Sequence, residues 1–504
     1  MPSSVSLRSC WRRLERPLLA ALVLGSVVGC AGHAAHTLEA RTALDLGEPK
    51  KALALLNEAM DVDSAKQVPS DLGGDQALFL LDRAMVLQQL DQYKLSSRDL
   101  GIADKSIDVL DLSRNAANDV ARYMFSDDSG PYKAPPYEKL MINTMNMVNY
   151  LVRRDLNGAR VEARRLTVMQ RFIREHEDAG AALSGPGSYL AGFVFEKSGK
   201  PDEALRFYDD ALSYGQYQSL VEPVRRLATQ SSVRSPRIRA LLNESAPKPP
   251  PRPPPEPEPE SDAPPDPDGV PAPDAEADTD KPSTEKDAGA SSAAGAPDKP
   301  KDDSGELLVI VSFGRVPAKY AKRVPIGLAL TYASNALSPG DRQRASYLAA
   351  QGLVTWVNYP ELGKARGQYD IPEMAVDGSW QTLEGIVAVD REAKRAWEAA
   401  RGTVVAAAIT RMLTRVVAGE AIRRGSGGGT LGALLSLGTQ ATLTATDTPD
   451  TRSWSTLPAR IAFGRLRLPP GEHVVYVRAR GVAKQQKIAI SPGGFAVVNL
   501  TVLN

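Results

Sequence analysis

One segment of this 504-residue chain is too poor in apolar side chains to join a folded core. Between Ala246 and Ser304 lie 17 of the 38 prolines, and no aromatic residue, Leu, Ile or Met occurs there. Its 15 acidic residues outnumber 6 basic ones, so its net charge is −9. Such a composition cannot bury enough apolar surface to offset chain entropy. The sequence therefore predicts a disordered acidic linker over residues 246–304, used as a tether or as a stiff strut, between two parts that melt independently.

The start of the chain combines a basic segment with a short apolar run. Four arginines precede Leu18–Val28, whose eleven residues are fewer than the roughly 20 that span a bilayer. This pattern is typical of a secretory signal peptide. The next residues, Val27-Val28-Gly29-Cys30, resemble the lipobox of bacterial lipoproteins, in which the chain is cut before a cysteine that then receives lipid.

The lipobox resemblance implies a location as well as a modification. It implies a signal peptide over residues 1–29, lipidation of Cys30 and a short lipidated leash over residues 30–37. Because Ala31 rather than an aspartate follows the cysteine, it implies anchoring in the outer membrane, on the periplasmic face. An ordinary secretory signal with an accidental cysteine is the alternative.

The predicted cleavage also changes the thiol content and the charge. Cys10 leaves with the signal peptide and Cys30 carries lipid, so the mature chain can form no disulfide and no cysteine-based metal site. Removal of four arginines and one glutamate changes the formal net charge from +1 to −2. This charge and the periplasmic location argue against a nucleic-acid partner.

The part before the linker has the pattern of paired helices. In Tyr189–Tyr214, small and aromatic residues recur at fixed offsets, and Pro201 follows Gly199 by two positions. The stretch from Leu38 to Met60 repeats these offsets. They resemble the tetratricopeptide repeat, in which two helices pack through small residues. This resemblance implies a tetratricopeptide-like α-solenoid of about four irregular repeats over residues 38–245, interrupted by a loop over 122–136. A generic helical bundle is the alternative.

The part after the linker mixes helices and strands. Glu306–Phe313 reads as a strand, Asp390–Arg424 as a long amphipathic helix, and the last fifty residues as four strands separated by turns. Alternating apolar positions such as Val475 and Val477 are typical of a half-buried antiparallel sheet. The terminal strands resemble small bacterial β-sandwich modules. We therefore predict an α+β domain over residues 305–504 with long helices and a terminal antiparallel, sandwich-like sheet, and a multidomain chain that is α first and α+β second.

Two short motifs extend the resemblance to the whole chain. Asn358–Leu362 reads NYPEL and Asp450–Trp454 reads DTRSW. With the helical repeats and the terminal sheet, they resemble an uncharacterised family of bacterial lipoproteins that has tetratricopeptide-like helices and a C-terminal mixed α/β region. The family implies an architecture rather than a chemical activity.

The sequence contains no convincing enzyme signature. Neither a Gly-x-Ser-x-Gly elbow nor a His-Glu-x-x-His helix occurs. Ser283–Lys286 matches Ser-x-x-Lys but lies in the predicted linker, and Gly425–Gly432 lacks the Lys-Ser/Thr pair of a phosphate loop. The four histidines form no ligand spacing. We therefore predict no enzymatic activity, no catalytic residue, no cofactor and no metal.

Two features are candidates for protein binding. Positive charge concentrates in one predicted repeat, at Arg153, Arg154, Arg160, Arg164 and Arg165. Residues 160 and 164 share a helical face, so this cluster predicts an acidic docking patch, or alternatively a solvated helix compensated by Glu162. Trp454 in the DTRSW motif predicts a second surface patch, or alternatively a structural corner.

Solenoids of this repeat usually bind an extended peptide or a partner helix. The predicted function is therefore an outer-membrane lipoprotein that acts as a periplasmic protein-binding scaffold, with recruitment or regulation of a peptidoglycan synthase as the leading role by analogy of architecture. The alternatives are an accessory lipoprotein for assembly of a pilus, secretin or flagellum, and a cell-wall hydrolase.

Overall fold

The structure of the chain is a computed structural model. It describes residues 33–107 except 74, then 132, 134–175, 181–243, 303–351, 356–364, 369–425 and 449–504, without the side chains of 385, 386 and 415–425. The predicted signal peptide, Cys30 and nearly all of the predicted linker lie outside these residues. So do most of the predicted loop at 122–136 and the Gly-rich stretch after Gly425.

The described residues before the predicted linker are helical, as the sequence predicts. The helices are α1 (His33–His36), α2 (Leu38–Asp45), α3 (Pro49–Ala59), α4 (Gln76–Gln89), α5 (Tyr93–Ser106), α6 (Pro136–Val152), α7 (Leu156–Glu175), α8 (Ser184–Lys197), α9 (Pro201–Tyr214), α10 (Val221–Ala228) and α11 (Pro236–Leu242). Short turns join α2 to α3, α4 to α5, α6 to α7 and α8 to α9, so each of these pairs is a helical hairpin. We call residues 33–243 the helical layer.

The predicted small-residue positions explain how these hairpins close. Gly199 has a φ of +68°, which glycine adopts without steric cost, and Pro201 is the first residue of α9. A Cβ atom on Gly192 would lie 2.3 Å from the Tyr208 ring. Only glycine at position 192 therefore allows α8 and α9 to approach this closely.

The first helices of the last three hairpins are buried on every side. Each residue from Ala77 to Gln88, from Pro136 to Asn149 and from Ser184 to Phe195 is buried. A helix that is buried all round has neighbours on both faces. One set of neighbours comes from the second helices of the hairpins, and the other comes from the C-terminal half of the chain.

The C-terminal half consists of strands and helices. Its elements are β1 (Gly305–Phe313), β2 (Lys319–Pro325), α12 (Ile326–Tyr332), α13 (Pro339–Ala350), β3 (Trp356–Leu362), β4 (Glu373–Val376), β5 (Ser379–Thr382), β6 (Glu384–Ala388), α14 (Val389–Gly425), β7 (Arg460–Leu468), β8 (Gly471–Ala479), β9 (Val482–Ile490) and β10 (Phe495–Val502). Sheet I has the strand order β10-β1-β7-β6, and sheet II has the order β5-β4-β8-β9. None of the described helices is long and apolar enough to cross a bilayer.

Sheet I lies between the helical layer and sheet II. All nine residues of β1 are buried. Leu308 and Ile310 belong to a core shared with the helices, whereas Leu307 and Val309 belong to a core shared with sheet II. This alternation follows from the two-residue period of a strand, and it makes the molecule a stack of helices, sheet I and sheet II.

A smaller unit packs separately. Strands β2 and β3 form an antiparallel pair, and helices α12, α13 and α14 cover it. Its core includes Val324, Tyr359, Trp397 and Ile409.

The prediction of a single terminal antiparallel sheet is wrong in its pairing. The four predicted terminal strands are present as β7 to β10, but β8 and β9 belong to sheet II, whereas β7 and β10 lie on either side of β1. Strand β10 is parallel to β1, with Phe495 opposite Glu306. Its near-continuous burial is typical of a parallel strand covered on both faces.

The prediction of two independent bodies is wrong as well. One core contains Leu81 and Phe193 of the helical layer together with Phe463 and Leu503 of the C-terminal half. The rings of Tyr189 and Phe463 are stacked with centroids 4.3 Å apart. Because the two halves share this core, residues 243 and 303 are both attached to the same folded body.

Candidate functional site

The inner side of the helical layer holds the DTRSW segment. Arg452 Nη1 lies 3.1 Å from Asp75 Oδ1 of the turn before α4, and Arg452 Nε donates to Asp450 Oδ1 at 2.9 Å. The Trp454 backbone N–H donates to Glu138 Oε1 at 3.4 Å. The DTRSW segment therefore lies on the buried face of the helical layer.

The predicted surface patch around Trp454 is therefore wrong, because Trp454 is only 1% exposed. The alternative of a structural corner fits the structure. A tryptophan in a loop is compatible with both interpretations, and only the packing of the two halves against each other buries this one.

Asp82 joins the start of the described chain to the two residues that follow the DTRSW motif. Its Oδ1 accepts hydrogen bonds from the Thr456 N–H at 2.9 Å and the Ser455 hydroxyl at 3.1 Å. Its Oδ2 lies 2.8 Å from His33 Nε2. The prediction of a leash is therefore wrong from residue 33 onward, because His33 is buried and begins α1.

Several titratable groups lie beside this segment, but the space among them is small. Burial raises the pKa of the Glu138 carboxyl, and burial lowers the pKa of the Lys319 amine against the opposing effect of Asp450 and Glu138. The adjoining cavity, between Tyr137 and Trp397, measures about 10 Å³, which is about the room for one water molecule. We interpret this cluster as a junction between the two halves of the fold.

The described residues also bring together no group of three or more His, Cys, Asp or Glu side chains able to hold a metal ion.

The five predicted arginines do not share one surface. Arg153 and Arg154 lie in the turn between α6 and α7, where Arg153 is 5.5 Å from the Tyr150 ring centroid. Arg154 has a φ of +57° and donates to the Ala489 carbonyl of β9 at 3.2 Å. Arg154 therefore belongs to the contact between the α6–α7 turn and sheet II, whereas Arg153 packs on α6 of its own hairpin.

The other three predicted arginines lie on α7. Arg165 Nη1 is 3.1 Å from Glu162 Oε1, so the predicted compensation by Glu162 applies to this residue. Glu162 itself is only 3% exposed and accepts a hydrogen bond from Asn143 at 3.0 Å. Because Glu162 points into the layer, it leaves the outer face of α7 without that negative charge.

The outer face of α7 carries a regular stripe. The exposed positions 157, 161, 164, 168, 171 and 175 are separated alternately by four and three residues, which places them on one side of a helix. Val161 and Val168 are 46% and 58% exposed, and Arg164 and Arg171 alternate with them. Neither Arg164 nor Arg171 has an acidic partner within the part of the chain that the structure describes. We call Arg160, Val161, Arg164, Val168 and Arg171 the α7 face.

The sequence interpretation identified only part of the α7 face. The clustering of arginines between positions 153 and 165 does not extend to Arg171, and it carries no information on the apolar Val161 and Val168. The signal that finds them is the spacing of four and three residues, which requires the helix and its buried side to be known.

Comparison with known proteins adds no assignment to this geometry. No protein-family model matches the chain, and no curated protein shows significant similarity to it.

Proposed function

We propose that this protein is a lipid-anchored scaffold on the periplasmic face of the outer membrane, and that it binds a protein partner through the α7 face. The anchor in this proposal is Cys30, with the signal peptide of residues 1–29 removed. The helical hairpins are proposed to be irregular tetratricopeptide-like repeats. This proposal is supported by the close approach of α8 and α9 at Gly192 and by the turn at Gly199 and Pro201.

The location of the proposed binding surface differs from the usual one for such repeats. The buried sides of α4, α6 and α8 are covered by sheet I and the DTRSW segment, so a partner would have to displace part of the protein's own core. The outer face of α7 is exposed along its length. A partner therefore reaches α7 without any rearrangement of the fold.

The observation that carries the proposal is the presence of unpaired charge beside exposed apolar side chains. Arg164 and Arg171 alternate with the exposed Val161 and Val168 on one helical face. Arginine is enriched at protein interfaces and lysine is depleted. The facing surface should be acidic at its rim and apolar at its centre, as in an amphipathic helix.

The partner class that we propose is a component of peptidoglycan synthesis, by analogy of architecture alone. Assembly of a pilus, secretin or flagellum is the alternative role for the same surface. Release of muropeptides by the purified protein would instead support the third alternative, a cell-wall hydrolase.

The α7 face predicts a charge-reversal phenotype. A photo-crosslinking amino acid at Val168 should capture the partner in cells, and the double variant Arg164→Glu/Arg171→Glu should reduce that crosslink about tenfold, since each exposed ion pair contributes ~0.2–1 kcal/mol and reversal adds repulsion. Mass spectrometry of the crosslinked product identifies the partner.

The matched control reverses the same amount of charge elsewhere. Arg344 on α13 and Arg391 on α14 are exposed, and neither has an ion pair among the described residues. The variant Arg344→Glu/Arg391→Glu should leave the crosslink at Val168 unchanged. Equal loss in both double variants, or an unchanged crosslink in the α7 variant, would contradict the proposal.

A further inference from the structure

The beginning of the described chain fixes how far the folded body can lie from the proposed lipid. His33 is 1% exposed, its ring lies 2.8 Å from Asp82, and its backbone N–H donates to Asp75 Oδ2 at 3.2 Å. Three residue-to-residue steps separate His33 from Cys30, and an extended chain covers at most ~3.6 Å per step. The proposed lipid is therefore held within about 11 Å of the body.

Helix α2, the next element, has an exposed leucine at each end. Ala40, Ala43 and Leu44 pack into the core. Leu38, its first residue, is 57% exposed, and Leu46, its C-cap residue, is 67% exposed, with the exposed Glu39 and Thr42 beside them. At 1.5 Å per residue these two leucines are about 12 Å apart along the helix.

Two lysines follow at the start of α3, after a turn that carries the exposed Glu48. Lys50 and Lys51 are exposed. Lys51 Nζ lies 3.3 Å from Glu48, whereas Lys50 has no acidic partner within the described ranges. Exposed leucines followed by ammonium groups are suited to a surface of lipid headgroups, where apolar side chains enter the acyl boundary and lysines meet phosphates.

We propose that the surface formed by Leu38 at the start of α2, Leu46 at its C-cap and Lys50 at the start of α3 lies against the bilayer surface and fixes the orientation of the body on the membrane. This inference rests on the proposed lipidation of Cys30. The short connection brings α2 to the membrane, and the two leucines then enter the headgroup region. A second copy of the chain is a poor occupant, because a pair of leucines is far smaller than the ~800 Å² per partner of a stable interface.

The absence of other thiols allows a single-site test. In the mature lipidated protein, the Cys30 sulfur carries lipid and Cys10 has been removed, so one introduced cysteine is the only labelling position. The full chain is prepared as Leu38→Cys or Leu46→Cys, labelled with an environment-sensitive fluorophore, and reconstituted into vesicles of phosphatidylethanolamine and phosphatidylglycerol with or without brominated acyl chains. We expect a blue shift and strong quenching by the brominated lipid at both positions.

Two controls separate contact of this face from mere proximity to the membrane. Val482→Cys places the label on an exposed apolar residue of β9 in sheet II. Val168→Cys places it on an apolar residue of α7 whose exposure is similar to that of Leu38. For both control labels, the fluorescence intensity should be the same in vesicles with and without brominated acyl chains.

The outcomes distinguish this inference from the proposed anchor. If mass spectrometry finds lipid on Cys30 but the labels at 38 and 46 are quenched no more than those at 482 and 168, the membrane-facing role of this surface is overturned and the anchor stands. If Cys30 carries no lipid, the anchor itself is overturned, and the membrane contact with it. Lipid on Cys30 together with quenching at positions 38 and 46, but at neither control position, supports both the anchor and the membrane contact.

Discussion

Replacing Arg465 by methionine is expected to lower the free energy of unfolding by about 3 kcal/mol, the lower end of the range for removing one partner of a buried ion pair. Arg465 on β7 is buried between the two halves of the fold. Its Nη2 lies 2.7 Å from Glu196 Oε1 of α8 and 2.7 Å from Glu306 Oε2 of β1. Lys197 and Arg226 also contact these carboxylates. Because both cations remain in Arg465→Met, the carboxylates keep part of their charge compensation, and we expect a loss at the lower end of the range.

The same cluster predicts how the loss depends on pH. Arg465 and the neighbouring cations lower the pKa of both Glu196 and Glu306 against the opposing effect of burial. A carboxyl with a lowered pKa in the folded state contributes stability above its unfolded pKa, near 4.5, and loses it as the pH falls through the folded pKa. The difference between the native chain and Arg465→Met should therefore be largest near neutral pH and should narrow below about pH 4.5.

Denaturant unfolding across this pH range measures the effect, and an exposed ion pair provides the control. Arg478 on β8 pairs with Glu373, and its side chain is 59% exposed. Arg478→Met should cost less than about 1 kcal/mol, the usual range for exposed pairs. A cost for Arg465→Met no larger than that of Arg478→Met would refute the assignment of Arg465 as an ionic link between the two halves.

Truncating Asp82 is the second change with a large expected effect. Its carboxylate is 0% exposed. It accepts hydrogen bonds from the hydroxyl and N–H of Thr456 and from the hydroxyl of Ser455, and it contacts the ring of His33. Asp82→Ala leaves these buried groups without their acceptor, at ~1–3 kcal/mol for each group that stays unsatisfied. We expect a total loss of about 3 kcal/mol in the free energy of unfolding.

The conservative variant at this position separates hydrogen bonding from packing. In Asp82→Asn the amide oxygen can still accept from Thr456 and Ser455, and the amide nitrogen can donate to the His33 ring in its acceptor tautomer. Asp82→Asn should therefore retain most of the stability that Asp82→Ala loses. Equal losses in the two variants would mean that the Asp82 hydrogen bonds are not what holds the DTRSW segment.

Local patterns in the sequence predicted most of the individual elements. The Gly-x-Pro spacing at Gly199 and Pro201 located the α8–α9 turn, and the alternation of Val475 and Val477 located the buried face of β8. These signals work because a helical turn, a left-handed φ or a two-residue period depends on residues close in sequence.

Pairing and packing could not be predicted in the same way. Nothing near Phe495 in the sequence indicates that β10 runs parallel to a strand almost 190 residues earlier. The burial of Trp454 and the inward direction of Glu162 likewise depend on contacts between distant segments. The composition of residues 246–304 does not determine the number of folded bodies, because a segment poor in apolar residues can join two parts of one core as readily as it joins two separate bodies.

The most direct measurement of the central claim, that the two halves form one folded body, is cleavage between them. A specific protease site placed among the Ala, Gly and Ser residues near 290 allows the native chain to be cut after folding. We expect the two fragments to coelute as one particle in size-exclusion chromatography and to unfold in a single transition, because Arg465, Asp82 and the shared core hold them together. Separate elution of the fragments under native conditions, with two independent transitions, would contradict the account.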